Sequence, residues 1–158
     1  MYKNILVPSD GSKLSAKAVK QAIKLAKAIS AKITAVYVMP PVSDVPLSRI
    51  SRAYDVSVNE GYILPASLNK KIQEDIGVRS KQMLARVCAE AATAGVECES
   101  VLAASGAPYE RIIEHAAKSK CDLIMMASHG RRGVSGLLLG SETTKVLVHS
   151  RIPVLVVR

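Results

Sequence analysis

Met125–Thr144 reads MMASHGRRGVSGLLLGSETT, and the rest of the chain is arranged around it. The apolar run Leu123–Ala127 just overlapping it has the composition of a buried strand. The run stops at Ser128-His129-Gly130, passes through a basic loop with glycines at 130, 133 and 136, and reaches Gly140-Ser141, where a helical pattern begins. Glycines let backbone approach a ligand with no Cβ in the way. Ser141 suits an N-cap, and a helix N-terminus offers unpaired N–H groups and a partial positive charge. Strand, glycine loop and helix start together make a phosphate-binding construction, and Arg131 and Arg132 add positive charge to it.

Outward from this stretch, strands and helices alternate. Residues 3–8 form a short apolar strand ended by Pro8, and Pro8-Ser9-Asp10-Gly11-Ser12 is a turn by composition, with Ser12 placed to cap the next helix. That helix runs to about residue 30, with Leu14, Ala18, Ala22, Leu25, Ala26 and Ile29 on one face and Lys13, Lys17, Lys20, Lys24 and Lys27 on the other. Residues 32–39 are a β-branched strand stopped by Pro40-Pro41. A helix over about 67–94 buries Ile72, Ile76, Met83, Val87 and Ala91 and ends at Gly95. The strand 96–103 is broken by Glu97 and Glu99, which suits a sheet edge with one wet face. Pro108 opens a third helix, with Ile112, Ile113, Ala116 and Ala117 inward. A strand over 122–127, a helix over about 141–149 and an apolar strand over 152–157 complete the chain. Residues 40–66 show no period; they read as an irregular excursion, either a lid over a ligand or a variable surface connection.

Strict alternation with apolar strands predicts an α/β fold: a five-stranded parallel sheet with helices on both faces, in one domain over 1–158. The order 3-2-1-4-5 sets the first and fourth strands side by side where the winding reverses, and ligands bind such sheets in the crevice at the carboxyl ends of those strands. The loops there are Pro8–Ser12 and Ala127–Gly140, so topology and the glycine loop point to one place.

Composition narrows the function. The 158 residues are 49% hydrophobic with no Trp or Phe, so the core is aliphatic. No apolar run approaches the roughly 18 residues of a membrane helix, and Tyr2-Lys3-Asn4 leads straight into a strand, so no membrane is expected as a partner and the expected compartment is the cytoplasm. Cys88, Cys98 and Cys121 have no metal-site spacing and read as reduced, mostly buried thiols. The net charge of +9 raises nucleic acid as a partner, but the five tyrosines are scattered and no nucleic-acid-binding motif is present; the lysine stripe reads as a solvated face, and no nucleic-acid role is expected.

Two familiar phosphate motifs are absent. Gly140-Ser141 is followed by Glu142, with no lysine in the Walker position, and Pro8–Ser12 holds one glycine rather than GxGxxG. What remains is Ala127-x-x-Gly130, nine residues, then Gly140-Ser141. At these positions, in the opening Ile5-Leu6-Val7-Pro8-Ser9-Asp10-Gly11-Ser12 and in the ending Ile152–Val157, the chain resembles the universal stress protein family. Nucleotide-binding members of that family carry Gly-x-x-Gly-x9-Gly-Ser/Thr; here Ala127 stands for the first glycine. The resemblance implies a Rossmann-like fold of the adenine-nucleotide alpha-hydrolase type and a stress-response regulator that binds ATP or a related adenine nucleotide with Mg2+ or Mn2+ on its phosphates. It also implies roles by position. Asp10 would face the ribose or a metal ion on the phosphates. Pro8 and Ser9 would shape the adenine side, and Val38 would contact the base. Met126 and Ala127 would line base and ribose. Gly130, Arg131, Gly140, Ser141, Glu142 and Thr143 would surround ribose and phosphates, with the Glu142 carboxylate compatible only if it points away.

No residue set reads as catalytic. Ser128 and His129 are adjacent but lack a third orienting group, and no base or arginine finger is legible, so any ATP hydrolysis or self-phosphorylation at Ser128, Ser141 or Thr143 is expected to be slow. The alternatives are a nucleotide-independent interaction module and a slow ATPase of the same fold. The last strand would be an apolar edge, which a symmetric partner can cover; a homodimer through Ile152, Val154, Leu155, Val156 and Val157 is expected. A regulatory protein partner is implied, but its identity is not written in the sequence.

Overall fold

The computed structural model describes residues 1–59, 61–130 and 139–158. Five strands, β1 (Asn4–Pro8), β2 (Lys32–Val38), β3 (Cys98–Ala103), β4 (Leu123–Ala127) and β5 (Val154–Val157), alternate with helices α1 (Lys13–Ile29), α2 (Leu47–Tyr54), α3 (Ala66–Thr93), α4 (Pro108–Lys118) and α5 (Ser141–His149). The sheet runs in the order β3-β2-β1-β4-β5, and every pair is parallel. This is the predicted fold, with β1 beside β4 in register Ile5↔Leu123 and Leu6↔Ile124.

Successive strand residues point to opposite faces, so each face has its own apolar layer. Ile5, Val7, Ile33, Ala35, Leu123, Met125 and Ala127 pack under α1 and α3, while Leu6, Val36, Ile124 and Met126 pack under α4 and α5. The buried face of α1 is Ser15, Ala18, Val19, Ala22, Ile23 and Ala26; Leu14, Leu25 and Ile29 flank it half-exposed, a rotation of the stripe read from the sequence. Small alanines there let the helix lie close to the sheet. Ser12 caps α1 as expected, its hydroxyl accepting from Ser15 N at 3.1 Å. Polar ties fix the amino end of β1. The Asp122 carboxylate accepts from the Lys3 and Asn4 amides, and the Asn4 side chain links Ser119 O to Thr34 Oγ1. The expected edge strand β3 is an edge, with Glu99 paired to Lys32 at 3.1 Å.

Two readings change. The excursion over 40–66 holds a single 3-10 turn (Val42–Asp44) and α2, and Val42 and Ile50 are buried against Ile72 of α3 as a third apolar cluster. Leu47, Ile50 and Tyr54 have helical spacing behind Pro46, but eight residues are too few for the period to stand out. The cysteines also differ from expectation: Cys88 of α3 and Cys98 of β3 form a disulfide, Cα–Cα 5.2 Å, and Cys121 is the buried free thiol. The separation of ten residues carries no pairing signal; the return of the chain from α3 to the adjacent strand brings the two together. Among the described residues no helix is long and apolar enough to cross a membrane. Thiol titration in denaturant checks the pairing: one reactive thiol per chain is expected without reductant and all three cysteines after reduction.

Candidate functional site

The carboxyl ends of β1 and β4 lie together because the strands pair, and each continues into a loop at the same end of the sheet. Behind β1, Gly11 has φ +75°, a left-handed conformation that turns the chain sharply into α1. Asp10 precedes it, with Oδ1 accepting from Ser12 N at 2.9 Å, an Asx-turn that fixes the carboxylate. The other oxygen faces the β4 loop: a Cβ on Gly130 would lie 2.6 Å from Asp10 Oδ2. Gly130 has no positive φ. Its glycine is required by the close approach of the carboxylate, not by backbone conformation.

The start of α5 closes the other side. Gly140 N donates to Ser128 O at 2.7 Å, and a Cβ on Gly140 would meet His129 Cα at 3.1 Å. Gly140 is extended and its carbonyl accepts from Thr144 N, so Gly140 is the cap and Ser141 the first helical residue. The N-cap expected at Ser141 therefore sits one residue earlier, because the Gly140 amide is needed by the β4 loop. The amides of Ser141, Glu142 and Thr143 form the first turn, which has no intrahelical acceptors. Thr143 is buried, its Oγ1 donating to Ala127 O at 3.0 Å, and this bond ties α5 to the last residue of β4. Glu142 turns outward: Oε2 accepts from Tyr109 N at the start of α4, and Oε1 accepts from Lys145 Nζ at 2.9 Å. The hydrogen bond to Glu142 pushes the Lys145 ammonium above the ordinary lysine pKa. The carboxylate is thus spent on α4 and on Lys145, leaving the amides of the α5 turn without a competing anion of their own.

The strands dispose the remaining predicted residues on the two faces. Met126 is buried in the α4–α5 layer, and Val38, on the far side of β1, is half-buried against the same layer. Ala127 belongs to the α1–α3 layer, 7% exposed, so its methyl packs into the core rather than into the crevice. It has no positive φ, and alanine stands there without strain. Pro8 ends β1. Ser9 is buried, with its amide on Val36 O and its hydroxyl 3.5 Å from Ser15 Oγ, so its side chain is turned toward α1. Arg131, with the rest of 131–138, lies outside the described residues. Ser128 Oγ and His129 Nδ1 are 3.2 Å apart, but among the described residues no carboxylate orients the imidazole. No cluster of three or more His, Cys, Asp or Glu side chains that could hold a metal occurs among them either.

The profile of the universal stress protein family matches residues 1–158. The chain belongs to that family. A universal stress protein of Methanocaldococcus jannaschii is 35% identical over all of this chain and 83% of its own length. A universal stress protein from Lactobacillus plantarum has the same fold, with a TM-score of 0.77 at 23% identity over 99% of this chain and 98% of that one. A universal stress protein solved in complex with cAMP superposes with a TM-score of 0.66 at 26% identity, covering 99% of this chain and 97% of that chain. The chain carries Ala127-x-x-Gly130, nine residues, then Gly140-Ser141 at this site.

The two glycine contacts separate by what each Cβ would meet. Gly140→Ala, which meets backbone, should cost about 1–3 kcal/mol, and Gly130→Ala, which meets a side-chain oxygen, about 1 kcal/mol. Adding Asp10→Ala should remove most of the Gly130→Ala cost while leaving that of Gly140→Ala unchanged, read from urea unfolding of the double-mutant cycles.

Proposed function

We propose that this universal stress protein binds an adenine nucleotide, ATP or a close relative, in the crevice between the β1 and β4 loops. The observation that carries the reading is the placement of Asp10 against Gly130, opposite the first turn of α5. A fixed carboxylate beside backbone with no Cβ suits a ribose hydroxyl, and helix amides suit phosphate oxygens. The cAMP complex of a relative supports the adenine nucleotide as ligand class. Val38 and Met126 offer an apolar wall to the base, and Gly130, Ser141 and Thr143 offer backbone N–H groups, while the Gly140 N–H is held by Ser128 O. A single carboxylate with nucleotide phosphates is a usual way to hold Mg2+, so Asp10 fits a role on a phosphate-bound ion. A stress-response role is the family's context.

The apolar edge of β5 supports a symmetric dimer. Leu155 is 40% exposed on the edge strand. Pairing two β5 edges would cover both.

Calorimetry tests the ligand. ATP with magnesium should bind in the micromolar range, Asp10→Ala should weaken it about tenfold with the fold intact by circular dichroism, and chelating the magnesium should weaken ATP more than AMP. Absence of heat to millimolar nucleotide, or an affinity indifferent to Asp10→Ala, would contradict the reading. For the dimer, Leu155→Lys should convert a two-chain particle to a single chain in light scattering; a wild-type protein already of single-chain mass would contradict it.

A further inference from the structure

A cavity of about 270 Å³ lies beneath α2, bounded by α3, the end of β2 and the turn at Gly11. It is on the Tyr37 side of β2, whereas Val38 belongs to the α4–α5 layer, so the cavity and the nucleotide crevice flank the same strand end from opposite faces. Val45, Ile50, Ile76 and Met83 give it apolar walls, and Arg49 of α2 and Arg79 of α3 bring two cations. Neither arginine forms an ion pair among the described residues. Asp75 also lines the cavity and accepts a hydrogen bond from Tyr54 Oη at 2.6 Å. Burial, with that hydrogen bond, raises the Tyr54 hydroxyl pKa, and the Arg79 and Arg49 charges act against it. Lys71 Nζ stands over the Tyr54 ring, 5.7 Å from its centroid.

We propose that this cavity is a binding site for a small amphiphilic monocarboxylate, with its carboxylate held by Arg49 and Arg79 and its apolar body against Val45, Ile50, Ile76 and Met83. Two guanidinium charges against the one Asp75 carboxylate leave one positive charge over, the complement of a monoanion. The planar guanidinium fork matches a carboxylate in geometry as well as charge. Apolar walls around a small polar group are the common make-up of small-molecule sites, and a volume near the lower end of their range of roughly 300–1,000 Å³ admits a short aliphatic or aromatic acid rather than a nucleotide. Because α2 and α3 each contribute a wall and a cation, the ligand would bridge the excursion to the body of the fold. The site does not rest on the nucleotide reading: of the β1 and β4 loops, only Gly11 is among its described lining residues.

Octanoate is the probe, titrated by calorimetry into the full chain. It should bind, and 1-octanol should bind about tenfold more weakly or worse, the loss expected when a charge-assisted hydrogen bond is absent. Arg79→Gln, on the exposed side of α3, should weaken octanoate by a similar factor. Ala53→Trp from α2 and Ile76→Phe from α3 fill the cavity from opposite sides, and whichever folds by circular dichroism should abolish octanoate binding. No octanoate binding below its aggregation limit, equal binding of octanol, octanoate affinity unchanged in Arg79→Gln, or displacement of octanoate by inorganic phosphate would each overturn the proposal.

Discussion

The pairing of β1 with β4 is the constraint on which the rest depends. These strands are far apart in sequence, and their register sets the turn at Asp10-Gly11 against the loop at Ser128–Gly130. Once they meet, the space for side chains disappears. Gly130 leaves room for the Asp10 carboxylate, and Gly140 leaves room for the backbone of His129. The hydrogen bonds Gly140 N to Ser128 O and Thr143 Oγ1 to Ala127 O then fix where α5 begins. The first turn of α5 is therefore positioned by β4, and the carboxylate by β1. Neither loop builds the crevice alone.

The fold was legible from the sequence because it rests on alternation. Apolar runs at 3–8, 32–39 and 122–127 with helical periods between them leave few arrangements for a parallel sheet, and the strand order follows from where the winding must reverse. The meeting of the β1 and β4 loops at one end of the sheet was legible for the same reason. Side-chain directions were less so. Ser9 reads as shaping the adenine side and Thr143 as facing ribose and phosphates, but the strand pleat and helix start turn the hydroxyl of the first toward Ser15 and that of the second onto Ala127 O. The direction of the Glu142 carboxylate is set by Tyr109 N, which belongs to another helix, and by Lys145. Ala127 departs from the family's glycine without entering the crevice, because its position in β4 alternation aims the methyl at the α1–α3 core.

Short and long-range features were the ones hidden. The helix α2 is two turns long, and its apolar positions acquire meaning only against Ile72 of α3. The Cys88–Cys98 pairing depends on how α3 returns to β3, which spacing does not encode. The cavity beneath α2 has the same origin. Arg49 and Arg79 are thirty residues apart and look like ordinary surface charges until the excursion folds back over α3. The end of β2 is then shared, with Tyr37 toward one space and Val38 toward the other.

Backbone amide NMR of the full chain during titration with ATP and magnesium shows whether the β1 and β4 loops and the first turn of α5 form one ligand crevice. The largest shifts should fall together on Asp10, Gly11, Gly130 and Gly140–Thr143, saturating at one nucleotide per chain. Saturable shifts confined to other elements, or none at these amides at millimolar ATP, would contradict it.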